Sequence, residues 1–216
     1  MSIQPRFLAH KLTNPLSINT TVSTTPHTID LYLDYVCPYS SKMFNTVYNS
    51  LMEAIAKKYP DGTFTFVFRQ VVQPWHPSST LVHEAAIAAE RLDPTKFWAF
   101  SNILFQNAND FYDTAVYNES RAETYERLAT LASETVGVDK KAMLELLTVP
   151  PSEDGIGHNI GNPVTNDLKL FVRQHRTMSV HVTPTVAIDG IVNNDFSSSW
   201  TADQWLQHLD IVYKNN

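Results

Sequence analysis

Ile29-Asp30-Leu31-Tyr32-Leu33-Asp34-Tyr35-Val36-Cys37-Pro38-Tyr39-Ser40 is the stretch on which the fold turns. Ile29, Leu31, Leu33 and Tyr35 alternate onto one face, while Tyr32 and Val36 leave the other partly apolar. The spacing predicts a strand over 28–36, buried on both sides and therefore central in its sheet. Pro38 then stands where a helix can open, because its missing N–H costs nothing there and its fixed φ suits the first turn. Met43, Phe44, Val47, Leu51, Ala54 and Ile55 recur at three- and four-residue steps, predicting a helix over 38–58. Pro60-Asp61-Gly62 ends it, and the Phe- and Val-rich run 63–72 predicts a second buried strand. Strand, helix and strand in this order imply a βαβ unit with a parallel sheet.

Downstream lies a helical block over 79–176, with segments at 81–92, 95–106, 119–135, 140–147 and 164–176. Asp93-Pro94, Gly137, Pro150-Pro151 and Asn162-Pro163 punctuate it. Ser79 or Thr80, with Glu84 shortly after, resembles the N-cap and first turn of its first helix. Past the block, Asp189-Gly190 between apolar runs predicts a hairpin joining strands at 185–188 and 191–192. Thr201 is expected to cap a final helix carrying Trp205, Leu206, Leu209, Ile211 and Val212. Upstream, residues 1–27 read as an extended arm, with an edge strand around 7–12 and a Thr- and Ser-rich loop. The expected organisation is this arm, a discontinuous α/β domain over 28–78 and 179–216, and an all-helical insertion over 79–178.

Composition narrows the function classes. The 216 residues are 43% hydrophobic and 18% charged, an ordinary globular balance. Sixteen Lys and Arg against 22 Asp and Glu give a net charge of −6, which argues against nucleic acid as a partner and against a basic membrane-binding surface. No apolar run is long enough to span a membrane. Arg6, His10 and Lys11 interrupt any signal-peptide core, so a cytoplasmic location is the expectation. The single cysteine, Cys37, excludes an internal disulfide and a Cys-rich zinc site. His83 beside Glu84, and His158 in the loop 155–162, lack the companions of a metal site, so none is expected. Gly155-Ile156-Gly157 is too short to be a dinucleotide fingerprint. His175 is expected on a solvated helix face; Asp34 could tune Cys37 but reads first as a solvated acid at a strand end, and His181 could approach the thiol but reads first as a surface or strand histidine. Phe97, Trp98, Phe100, Phe105, Phe111 and Tyr112 are expected to fill the helical core or wall an apolar pocket.

Chemistry points to Cys37. A cysteine where a strand gives way to a helix faces unpaired N–H groups and the positive end of the helix dipole, both of which favour thiolate over thiol. Thiolate is the nucleophile of sulfur exchange. The bland alternative is a buried, inert cysteine.

With Cys37-Pro38-Tyr39-Ser40 ahead of the helical block and Val182-Thr183-Pro184-Thr185-Val186 behind it, the chain from 28 to 213 resembles the thioredoxin fold of the DsbA and kappa-class glutathione transferase group. The resemblance implies an α/β thioredoxin-like fold with a large helical insertion. It also implies a cis bond at Thr183–Pro184 facing Cys37, where residue 183 pairs with an extended peptide or glutathione. The oxidoreductases of the group carry Cys-X-X-Cys, whereas Ser40 holds the resolving position here. The kappa transferases carry Ser-Pro-Tyr, whereas Cys37 holds their serine position. Phe196-Ser197-Ser198-Ser199-Trp200 matches the kappa glutathione segment at Ser198 but lacks its acidic and basic partners, which argues against strong glutathione binding.

Cys37 and Ser40 are therefore the candidate catalytic residues. Pro38, Tyr39, Trp75, His76, Thr183 and Pro184 are the candidate substrate-binding residues; Trp75 and His76 lie on Gln73-Pro74-Trp75-His76-Pro77, which leaves the second strand at the edge where active-site loops gather. The leading function is monothiol–disulfide exchange on a small disulfide or an extended peptide. It requires no cofactor, and glutathione is a candidate substrate or co-substrate. A kappa-type transferase or isomerase and a non-catalytic binding module are the alternatives, and a homodimer is compatible with all three.

Overall fold

The computed structural model describes residues 3–13 and 26–214; the Thr- and Ser-rich loop assigned to the arm falls largely outside them. Among these described residues five strands form one mixed sheet: β1 (Lys11–Thr13), β2 (His27–Leu33), β3 (Phe64–Gln70), β4 (Thr185–Ile188) and β5 (Ile191–Asn193), in the spatial order β1-β3-β2-β4-β5. The β2–β3 pair is parallel, with Leu31 opposite Phe68, and the other pairs are antiparallel. β2 is central, and Ile29, Leu31 and Leu33 are fully buried, as two-sided apolar patterning requires.

Helix α1 (Pro38–Thr46) continues through one wide π-type turn over Val47–Leu51 into α2 (Met52–Lys58). The insertion comprises α3 (Pro77–Leu92), α4 (Phe97–Gln106), α5 (Arg121–Val136), α6 (Lys140–Leu147) and α7 (Thr165–Thr177). It shares its core with the sheet: Phe44 of α1 meets Phe105 and Trp98 of α4 at ring separations of 4.7 and 5.7 Å, and Phe68 of β3 joins them. The aromatic run of α4 is therefore core, while Tyr112 walls a pocket. The final helix α8 (Ala202–Lys214) opens as expected at Thr201, whose hydroxyl accepts from Gln204 N–H while Gln204 Oε1 accepts from Thr201 N–H. Asp189 and Gly190 turn the β4–β5 hairpin with φ of 51° and 85°, the left-handed pair a two-residue turn demands.

Three expectations are corrected. Pro5–His10 forms a 3₁₀ turn, and only Lys11 and Leu12 of the expected edge strand pair with β3, in a strand that runs on to Thr13. Phe7 and His10, three residues apart, both turn inward, against Phe171 and Phe97; that spacing is helical, not alternating. The insertion starts at Pro77, not at a Ser79 or Thr80 cap, because Pro77 takes the first helical position, and Ser78 and Ser79 are buried with their hydroxyls engaged elsewhere. His175 is buried rather than solvated, its Nδ1 donating to Val180 O.

Burial holds the His175 pKa below the ordinary histidine value, against the opposing pull of the Val180 carbonyl. Among the described residues the buried Nε2 has no hydrogen-bond partner, so a proton placed there finds no acceptor among them. The unfolded chain binds that proton more readily than the native one. Stability therefore falls as pH drops through the ordinary histidine range of about 6.5 toward the lower folded value. Urea midpoints measured from neutral to mildly acidic pH are expected to decline, and less steeply in His175→Gln; an unchanged slope would count against the assignment.

Candidate functional site

The site is built where β2 hands over to α1. Asp34, the first residue past β2, is completely buried, which corrects the expectation of a solvated acid. Its Oδ1 accepts Val36 N–H at 2.9 Å, turning the chain toward Cys37. Its Oδ2 accepts Gln73 N–H at 2.8 Å and the Ser79 hydroxyl at 2.7 Å. His83 Nε2 stands 3.7 Å from Oδ1. A buried carboxylate survives only when hydrogen-bonded on all sides, and three donors close around this one.

Cys37 occupies the N-cap position of α1 in an extended conformation, its N–H on Asp34 O at 3.1 Å and its carbonyl accepting from Ser41 N–H at 3.0 Å. Cys37 is 9% exposed, enclosed by the loop before β4. Its Sγ donates to Thr183 O at 3.5 Å, and the Thr183–Pro184 peptide bond is cis. Gln73 Nε2 donates to Thr183 Oγ1 at 2.6 Å. Three hydrogen bonds, joined through the covalent frames of Gln73 and Thr183, thus connect Asp34 to the Cys37 sulfur.

Beside the sulfur opens a pocket of about 570 Å³, within the range of small-molecule sites. Pro38, Trp75, Val182 and the rings of Tyr39 and Tyr112 supply its apolar surface, and His76, Asp113 and His181 stand in its wall beside Cys37. Tyr39, Trp75 and Val182 are each more than half exposed, so large apolar groups ring the thiol in water. His76 Nδ1 lies 2.9 Å from Asp113 Oδ2. Burial, with the Cys37 charge adding to it, pushes the Tyr112 phenol up from its ordinary value.

Of the sequence-predicted residues, Cys37, Pro38, Tyr39, Trp75, His76 and Thr183 come together around this pocket. Ser40 is fully buried in the first turn of α1, its Oγ accepting Asp34 N–H at 3.3 Å, and does not line it. Pro184 faces a neighbouring cleft with Val180 and Val192. Sequence reasoning missed Gln73 as a link to Thr183 and Asp113 as the partner of His76. Neither carries a local signal. For Asp34 the signal was an acid embedded in an otherwise apolar run.

Residues 22–147, more than half of the chain, match the family model described as Thioredoxin. Among solved structures, the chain is similar to BdbD from Bacillus subtilis in its oxidised form (20% identity, TM-score 0.59, covering 94% of this chain and 93% of that one). It is similar to a Pseudomonas syringae protein proposed to be a protein-disulfide isomerase (19%, 0.66, 85% and 93%). MdbA, a thiol-disulfide oxidoreductase from Corynebacterium diphtheriae, also matches (16%, 0.57, 85% and 85%). At these identities the likeness is one of fold. No curated protein matches the chain in sequence. The family match runs through β2, Cys37 and the insertion helices to Leu147, and on that ground the chain belongs to the thioredoxin family.

Proposed function

We propose that the protein carries out thiol–disulfide exchange through Cys37 alone. One observation carries this reading: the Cys37 sulfur opens α1 at the pocket and faces Thr183, while Ser40, one helical turn on, offers a buried hydroxyl instead of a second thiol. The Cys37 thiolate attacks one sulfur of a substrate disulfide RS–SR′. The Cys37–SR bond forms as the RS–SR′ bond breaks, Cys37 is oxidised, and R′S⁻ leaves and takes up a proton. Ser40 cannot displace the bound RS group, so an external thiol must attack the mixed disulfide and regenerate Cys37. That requirement suits a compartment rich in small reduced thiols, which supports the cytoplasmic reading. Among the described residues the pocket has no Lys or Arg in its wall, which favours a neutral or apolar group beside the substrate sulfur.

Mass spectrometry after incubation with oxidised glutathione tests the reading. One glutathionyl adduct is expected on Cys37, stable until a small thiol is added and absent from Cys37→Ser. Absence of any adduct would sink the proposal. Glutathione-conjugating turnover that survives Cys37→Ser would favour the kappa-type alternative.

A further inference from the structure

We propose that His76, oriented by Asp113, is the proton carrier of the Cys37 exchange reaction; the inference rests on the monothiol reading above. Cys37, His76 and Asp113 come from three separate segments, the N-cap of α1, the N-cap of α3 and the loop after Phe111, and all three line one pocket. Asp113 Oδ2 accepts from Nδ1 at 2.9 Å, which fixes the tautomer and leaves Nε2 as the nitrogen able to take up a proton. The His76 side chain makes no capping bond to α3; its backbone carbonyl does so instead, through Ser79 N–H at 2.9 Å. Its placement is therefore not accounted for by holding the helix.

Exchange needs such a group. In the structure the Cys37 thiol donates its proton to a carbonyl, Thr183 O, which can hold the hydrogen bond but cannot accept the proton. Transfer to His76 Nε2 gives the thiolate and an imidazolium facing a carboxylate. The thiolate forms the Cys37–SR bond, the substrate RS–SR′ bond breaks, and the imidazolium returns the same proton to R′S⁻. The sum is Cys37–SH plus RS–SR′ giving Cys37–S–SR plus R′SH, with His76 restored. Where a resolving cysteine is lacking, this carrier also serves the return step, taking the proton of the incoming thiol.

The other titratable groups at the pocket are Tyr39 from α1, Tyr112 beside Asp113, and His181 from the loop before β4. Tyr112 is held neutral by its raised pKa. His181 directs Nδ1 to Ser179 O at 3.2 Å, and among the described residues no carboxylate pairs with it.

The test follows mixed-disulfide formation on the full chain by mass spectrometry against pH. Two neutral probes are used: bis(2-hydroxyethyl) disulfide, whose thiolate needs a proton to leave well, and 4,4′-dithiodipyridine, whose thiopyridone does not. With the aliphatic probe His76→Gln is expected to lower the rate by about 10²-fold, the usual worth of a positioned acid–base group. The variant's rate should track hydroxide concentration where the wild-type rate is flatter. With the pyridyl probe the loss should be clearly smaller. Asp113→Asn should lower the aliphatic rate by roughly 10-fold and Asp113→Glu should restore most of it, a pattern that a purely structural carboxylate does not give. Wild-type reaction with unchanged rates and pH profiles in His76→Gln overturns the proton-carrier role while leaving the monothiol reading in place. Failure of the wild-type thiol to react with either probe overturns both.

Discussion

Asp34→Ala is expected to cost about 3–5 kcal/mol of stability, because three buried donors lose their acceptor and each one left unsatisfied costs about 1–3 kcal/mol. Without the carboxylate, the N–H groups of Val36 and Gln73 and the hydroxyl of Ser79 lose a buried acceptor, and Ala brings no polar atom in exchange. For a chain of this size the loss corresponds to a fall in melting temperature on the order of 10 °C. Asp34→Asn separates charge from hydrogen bonding: one oxygen still accepts, but the amide nitrogen cannot accept from Gln73 N–H, so an intermediate loss is expected. Ser79→Ala removes a single donor and should cost about 1 kcal/mol. Thermal melts read all three. The path through Gln73 to Thr183 adds a functional signature, since loosening Asp34 should also slow adduct formation at Cys37. A melting temperature within a degree or two of wild type in Asp34→Ala would mean that the carboxylate is not the anchor of the site.

Ser40→Cys should change the chemistry more than any loss-of-function variant. Residue 40 lies three positions beyond Cys37 across the first turn of α1, where helical geometry brings Cα atoms within the span a disulfide accepts. A thiol introduced there attacks the mixed disulfide from within the same molecule, joining its sulfur to that of Cys37 and expelling RS⁻. Intramolecular attack should shorten the lifetime of the glutathionyl adduct by about 10³-fold or more relative to millimolar external thiol. The adduct that accumulates on the wild-type protein should then be replaced by an oxidised chain two hydrogens lighter than the reduced variant. Among the described residues the Ser40 hydroxyl accepts one hydrogen bond, from Asp34 N–H, and its loss should cost about 1 kcal/mol, leaving the fold intact. Persistence of the adduct in Ser40→Cys would show that residue 40 cannot reach the sulfur, and the single-thiol reading would lose its structural reason.

What the sequence determined by itself is what period and punctuation carry. Alternating Ile29, Leu31 and Leu33 marked a central strand, and three-and-four spacing from Met43 to Ile55 marked the following helix. Asp189-Gly190 marked a hairpin and Thr201 a helix start, because each depends on residues within a turn or two of one another. Cys37 was legible for the same reason: Pro38 beside it fixes where α1 opens. Local rules failed where a distant partner overrode them. Ser79 is a good cap in isolation, but in the fold its hydroxyl lies on Asp34, 45 residues away. His175 sits on a helix of polar composition yet turns inward to Val180. The site itself was decided by tertiary structure. Asp34 to Gln73, Gln73 to Thr183, Cys37 to Thr183 and His76 to Asp113 span 39, 110, 146 and 37 residues. No periodicity encodes such pairs. The first three exist because the parallel β2–β3 pair and the return of β4 bring the ends of three strands together, where buried polar groups must find each other in the absence of water; the fourth forms at the exposed rim of the pocket, where the loop after Phe111 meets the start of α3.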